Sequence, residues 1–358
     1  MALNRPGPNL GKIAAAVGVS TATVSNALSG KGRVSVDLVD TIRKMADELG
    51  YVPSQAGRAL RTGRSGVLGL VLPDIANPLF PQIAQAMEAA ASQAGYGVLI
   101  ADSRGDVTTQ TQAINRLIER GVDGMIIVPR RGTRIADIDC PVAVVDTPST
   151  PGNTVSADHW GGGRQIVEHL GALGHKRLLL IGYDPASNVQ NDRIGGMKSA
   201  LMPGMTAETI WLKNLEQAQG AGCAMGLTGR VQQGFTAFAA VSDLHALRAL
   251  TELQRAGIRV PEQVSVTGFD DLIFAPVITP ALTTIHMNMA AIADIAVATL
   301  ARAIDVTIAT KPGDKTRKTG GTIVVAETSE VPMELIVRQS SGLPGSLQSN
   351  QSEGTSVL

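Results

Sequence analysis

From Ser65 onward, short continuously apolar runs alternate with helix-length amphipathic stretches, and this alternation constrains the fold more than any other feature of the chain. Residues 67–72, 98–101, 125–128, 142–145, 178–181, 238–241 and 264–268 read as strands, and 81–93, 109–120, 162–173 and 244–256 as helices between them. Strands that are apolar throughout bury both faces, which predicts parallel sheets covered by helices on either side. Two such sheets, with late segments crossing back between them, make a two-lobed body with a cleft at the carboxyl ends of the strands. Composition agrees: 44% of residues are apolar but only 3% aromatic, so Ala, Val, Leu and Ile build the core, as in α/β layers. At 358 residues, the chain has room for more than this one unit.

The first 66 residues have a different character. They hold nine Lys/Arg against four Asp/Glu, a net +5, whereas the rest hold 22 against 27, a net −5. A basic head on an acidic body points to a polyanion as partner of the head alone. Asn9 is placed to cap a short helix with Leu10, Ile13, Ala14 and Val17 on one face, and Gly18 to end it. Ser20 then caps residues 21–28, whose apolar stripe is Val24, Ala27 and Leu28. A third helix over 36–50 carries Leu38, Val39, Ile42, Met45, Ala46 and Leu49. Two short helices joined by Gly-Val-Ser read as a helix-turn-helix, whose second helix offers its N-terminal side chains to base edges in the major groove. The alternative is a plain helical hairpin.

The wording of the head bears on that choice. Residues 18–30 (Gly-Val-Ser-Thr-Ala-Thr-Val-Ser-Asn-Ala-Leu-Ser-Gly), 48–53 (Glu-Leu-Gly-Tyr-Val-Pro) and 58–65 (Arg-Ala-Leu-Arg-Thr-Gly-Arg-Ser) resemble, in order and spacing, the lactose/galactose repressor family of bacterial transcription regulators. The resemblance continues through 69–78, Asp158 before Gly161-Gly-Gly-Arg, Gly174-His175, Arg193-Ile-Gly-Gly-Met and Gly268-Phe-Asp-Asp, to about Gln339. It implies that Thr21 and Ala22 read bases, that a hinge helix follows the head, and that Leu60 is the leucine that wedges into the operator minor groove. Such a wedge partly unstacks a base step, and the bend lets more protein touch DNA. Thr23, Ser25 and Arg33 are expected on phosphates, and Arg58 completes the DNA-binding set. Asn26 stands where the family commonly has Arg, and Lys12 where it often has an acid. Arg suits guanine and Asn suits adenine, so Asn26 points to a different operator.

In the body, the resemblance implies that Arg193 and Asp270 grip an effector in the cleft, a donor fork and a carboxylate suited to sugar hydroxyls or an acid group. Ser242 matches a polar contact position, with Asp243 beside it as the expected helix N-cap. Phe80 and Trp160 either face a sugar ring or pack in the core or at its rim, and Asp158 either touches ligand or caps the next helix. Arg104 either faces inward and favours an anionic ligand or is a solvated loop arginine.

The organisation expected is residues 1–53 as helix-turn-helix domain, 54–66 as hinge helix and linker, 67–340 as two-lobed effector-binding and dimerisation domain, and 341–358 as a disordered tail, with 311–321 an exposed loop. The reading is a ligand-responsive repressor, not an enzyme, that binds double-stranded operator DNA as a homodimer, with no cofactor, metal or membrane partner. Ligand would shift the lobes and hence the spacing of two hinge helices. Residues 1–8 have no signal-peptide pattern, and two cysteines leave no room for a disulfide framework, so the expected location is the cytoplasm. Gly161-Gly-Gly163 lacks the dinucleotide-loop spacing, and no Gly-Lys-Ser/Thr loop occurs. The other reading is a cytoplasmic carbohydrate-binding protein or enzyme with the head as a structural appendage.

Overall fold

The computed structural model describes residues 9–29, 32–51, 63–309 and 329–345, in two units that divide between Ser65 and Gly66. In the first unit, α1 (Leu10–Val17) begins at Asn9, whose side chain accepts from the Lys12 N–H. It ends at Gly18 in the left-handed region (φ 75°), whose N–H returns to the Ala14 carbonyl. Helix α2 (Thr21–Ser29) starts behind Ser20, whose Oγ accepts from Thr23 N at 3.1 Å. Helix α3 (Val36–Glu48) closes a core of Ile13, Ala14, Val24, Ala27, Ile42 and Ala46. Leu49, expected in that core, is exposed, and Tyr51 packs there instead.

The second unit contains two parallel sheets. One has the order β11-β5-β4-β3-β1-β2, built from β1 (Val67–Leu72), β2 (Gly97–Asp102), β3 (Gly124–Ile127), β4 (Val142–Asp146), β5 (Asn153–Ala157) and the late β11 (Ser329–Val331). The other has the order β7-β6-β8-β9, from β6 (Arg177–Gly182), β7 (Thr206–Trp211), β8 (Ala237–Ala240) and β9 (Ser265–Thr267). Helices α4 (Leu79–Gln93) and α5 (Val107–Glu119) belong to the first lobe, and α6 (His159–Ala172), α7 (Asn188–Ser199), α8 (Leu212–Gln219), α9 (Leu227–Gln232) and α10 (Asp243–Arg255) to the second. An antiparallel pair, β10 (Thr284–Met287) with β12 (Met333–Ile336), and the long α11 (Met289–Ala309) carry the chain back between the lobes. All seven expected strands are present; β5, β7 and the short β10–β12 were not anticipated.

The disorder expected of 341–358 does not hold for its first residues, Ser341 and Gly342, nor does the chain loosen at Ser340 just before them. Ser340 is fully buried and its Oγ donates to the Val266 carbonyl. Ser341 Oγ lies 2.9 Å from His169 Nε2, and the Gly342 carbonyl 2.9 Å from His175 Nε2. These small polar residues satisfy buried groups of the second lobe, a role their composition conceals. The expected loop 311–321, and the tail beyond 345, lie outside the described residues.

Candidate functional site

The carboxyl ends of β1, β3 and β4 in one lobe face those of β6, β8 and β9 in the other across a cleft of about 790 Å³. That volume suits a ligand of sugar or disaccharide size. At its floor Arg193, on α7, is 3% exposed. Its Nη1 donates to the Val241 carbonyl at 2.6 Å and lies 2.7 Å from Asp270 Oδ1. Its Nε donates to His159 Nδ1 at 3.4 Å, and the guanidinium lies over the Phe269 ring at 3.9 Å. His159 is held neutral by burial and by the Arg193 charge, and so can accept that hydrogen bond.

Asp270 is 2% exposed, and Oδ1, although close to Arg193, accepts no well-aligned hydrogen bond among the described residues. Burial outweighs the neighbouring guanidinium and pushes the carboxyl up to about 6. Asp270 and Asp271 both have left-handed backbones, φ 103° and 53°. Such a pair is strained in non-glycine residues and persists only where its surroundings hold it. Here Asp243 supplies that hold: one carboxylate oxygen accepts from Leu272 N at 2.6 Å and the other from Thr284 Oγ1. Arg338 and His286 bind Asp271 from the opposite side, at 2.6 and 3.1 Å. Asp243, fully buried, is pushed up to about 7 by burial and then by the charge of Asp270.

Of the residues singled out in the sequence, Arg193, Asp270, Ser242 and Phe80 line this cleft together. The N-cap of α10 is Ser242, which accepts from His245 N, and not Asp243, whose side chain turns inward to the Asp270 loop. Trp160 does not line the cleft. It is 47% exposed and its ring covers Gly195 on α7, because Asp158 caps Gly161 N at 2.7 Å and starts the helix so that His159 faces inward. Asp158 serves as that cap and is likewise not a lining residue. Arg104 is exposed in a left-handed turn (φ 50°) outside the cleft. The arginines that line the first lobe are Arg130 and Arg131, after β3, and Arg130 donates to the Gly105 carbonyl. Sequence reading missed these two, His159, and the Tyr183–His245 ring pair at 5.5 Å; each follows a strand end or opens a helix, which is the signal that could have found them.

In the head, Thr21, Ala22 and Asn26 are exposed and Thr23 and Ser25 half-buried, on a helix whose opposite face holds Val24 and Ala27. Positions 21, 22, 25 and 26 share one side of α2. The Asn26 amide lies against Gly32, where a Cβ would be 3.3 Å from Nδ2, and Arg33 is exposed just beyond. Arg58 and Leu60 lie outside the described residues.

Residues 9–54 match the family model of bacterial regulatory proteins, lacI family, and residues 167–341 that of a periplasmic binding protein-like domain. The chain is 33% identical to the transcriptional regulator MalR of Streptomyces coelicolor over 312 residues, 81% of this chain and 88% of that one. It is 32% identical to the transcriptional repressor CytR of Escherichia coli K12 over 276 residues, 75% and 81% of the two chains. The lac repressor dimer bound to operator and the anti-inducer ONPF has a similar fold, with TM-score 0.74, 24% identity, and 94% and 99% of the two chains covered. The transcriptional regulator CelR in its cellobiose complex is similar in fold at TM-score 0.63 and 24% identity, covering 93% of this chain and all of that one. With its head matched by that family's own model and four-fifths of its length shared with a helix-turn-helix regulator, the chain belongs to the lacI family of bacterial regulatory proteins.

Proposed function

We propose that this transcriptional regulator is a repressor that binds a near-palindromic operator as a homodimer and is controlled by a sugar or sugar derivative in the cleft. One observation carries the reading: Asp270 is held in a strained turn at the cleft floor, its Oδ1 2.7 Å from Arg193 Nη1 but accepting no aligned hydrogen bond among the described residues. Buried acceptors are normally satisfied, and the hydroxyls of a ligand would satisfy this one. Four of the residues proposed to contact effector, Arg193, Asp270, Ser242 and Phe80, share that cleft. In the head, Thr21, Ala22 and Asn26 would meet base edges while Thr23, Ser25 and Arg33 meet phosphates. Arg58 and Leu60 would act in the hinge, Leu60 as the minor-groove wedge. Exposed Leu99 and Ile100 on the edge strand β2 support pairing with a second copy.

On this reading the protein works in the cytoplasm and releases its ligand unchanged. Ligand and operator each alter affinity for the other, with a coupling of ~1–3 kcal/mol in such systems. The experiment is a selection of duplexes from a randomised pool, followed by release of the selected duplex in the presence of sugars. Enrichment of a two-fold-symmetric site, released by a sugar, is the expected result. Failure to enrich any site overturns the repressor reading.

A further inference from the structure

Beyond Ser29, the last residue of α2, the chain returns so that Gly32 lies against the side chain of Asn26. A Cβ at position 32 would stand 3.3 Å from Asn26 Nδ2, 3.5 Å from Cγ and 3.6 Å from Cβ, so backbone borders the side chain along its length. Gly32 has φ 85°, in the left-handed region that glycine enters without steric cost. That stretch is anchored close by: Val34 packs against the core of the head, and α3 begins at Val36. Asn26 is nevertheless exposed, so its amide is bordered on one side and open on another.

Adenine is read by an amide that meets N6 and N7 together, which requires one orientation of the amide plane. The outer torsion of an asparagine is broad, and fixing it on binding loses conformational freedom. Bare backbone beside Asn26 limits that freedom before DNA arrives. A methyl group at 3.3 Å would be tighter than ordinary contact, and an exposed amide yields by turning, not by distorting the backbone. The other use of an exposed glycine is to let a phosphate approach its backbone. The two uses differ in effect: losing a phosphate approach weakens every duplex alike, whereas a turned amide changes their ranking.

We propose that Gly32 is a positioning residue for base readout: its bare backbone sets the orientation in which the Asn26 amide meets a base, and a side chain at 32 changes which base is preferred. This rests on the proposed base contact of Asn26 and adds a determinant of operator choice that lies outside α2.

The test uses the full-length protein and a duplex selected from a randomised pool. Four versions of it carry each base pair in turn at the position that Asn26→Ala relaxes, and fluorescence anisotropy ranks them. The parent should favour adenine there. Gly32→Ala should reduce that preference by at least about 5-fold, the lower end of what a bidentate pair contributes, with the salt slope unchanged. Should that variant not fold, Gly32→Asn replaces it, because asparagine tolerates the left-handed region and brings the same Cβ. Gly50→Ala is the control: Gly50 has φ 62° and no atom within 4 Å of its Cβ, so the variant is strained alike but should rank the duplexes as the parent does. In an Asn26→Ala background there is no amide to turn, and the Gly32 change should no longer alter the ranking. An equal loss on all four duplexes, an unchanged ranking, or a changed ranking that persists without Asn26 overturns the proposal. Failure of the underlying reading looks different: Asn26→Ala would then relax no position, and the contact that Gly32 orients would not exist.

Discussion

A Cβ on Gly163 would lie 2.2 Å from the backbone carbonyl oxygen of Arg193, so α6 and α7 touch through a glycine at the level of the cleft's principal arginine. The same seam continues at Gly196, where a Cβ would lie 2.0 Å from the Trp160 carbonyl oxygen. Of the run Gly161-Gly-Gly163, which has the wrong spacing for a phosphate loop, it is Gly163 that permits the close helix packing that seats Arg193. Gly163→Ala must push α7 away. The expected cost is roughly 3 kcal/mol, the upper range for overpacking against backbone, with weakened ligand binding as Arg193 moves. Gly229→Ala, in α9 with no atom within 4 Å of its Cβ, is the control and should be neutral or stabilising. Melting curves of the two variants check this, and equal melting temperatures would refute it.

Asp243 should give the body a measurable pH dependence. Its folded value of about 7 lies above its ordinary 3.8, so the folded chain holds the proton more tightly than the unfolded one. That contribution to stability is fully present below about pH 4 and is lost as pH rises through about 7. His245 has the opposite sign: lowered from 6.5 to about 4, it costs stability as pH falls through that interval. Only a difference measurement isolates Asp243. Subtracting an Asp243→Asn series from the parent's, by denaturant titration between pH 4 and 8, should leave a parent-specific stability that declines with rising pH. A flat difference would mean that Asp243 titrates in its ordinary range.

How far the sequence carried these conclusions depends on range. The strands were legible because each is a local apolar run, as in 178–181, and α1 because Asn9 and Gly18 mark its ends in the chain itself. Trp160 and Arg104 stayed open in the sequence for lack of orientation: one residue of helix phase, set by the Asp158 cap, turns His159 inward and Trp160 outward. The inward turn of Asp243 depends on Leu272 and Thr284, 29 and 41 residues away, and no local pattern announces it. Ser340 was hidden by its composition, since its partners Val266, on β9, and Thr283, just before β10, lie 74 and 57 residues earlier in the chain.

DNA binding by the head should depend steeply on salt. If a dimer neutralises ~8 phosphates, the slope of log affinity against log salt is about −7. Asn26→Arg should leave that slope nearly unchanged, because it alters a base contact, and shift preference at one position of each half-site from adenine toward guanine. Fluorescence anisotropy over a salt series, with selection from randomised duplexes, measures both. A slope near zero would remove the phosphate contacts, and an unchanged preference would place Asn26 off the bases.

Ligand affinity should carry the titration of Asp270. Ligand hydroxyls donate to the ionised carboxylate, so affinity should hold above its value of about 6 and weaken as pH falls below it, approaching roughly 10-fold per pH unit. Asp270→Asn keeps the shape of the side chain and removes the charge. It should cost ~1.5–3 kcal/mol of binding at pH 7.5, about 10- to 150-fold, and flatten the dependence between pH 5 and 7. Arg193→Ala is the harsher change, because it leaves Asp270 buried without its cation and should also lower stability by ~3–5 kcal/mol. The Asn variant is therefore the one from which to read binding, once its melting temperature is shown to match the parent's. Operator affinity without ligand should be unchanged in Asp270→Asn, since the head is untouched, while release by ligand is lost. If this variant binds the ligand with the parent's affinity and the parent's pH profile, Asp270 is a brace for the lobes and does not touch the ligand.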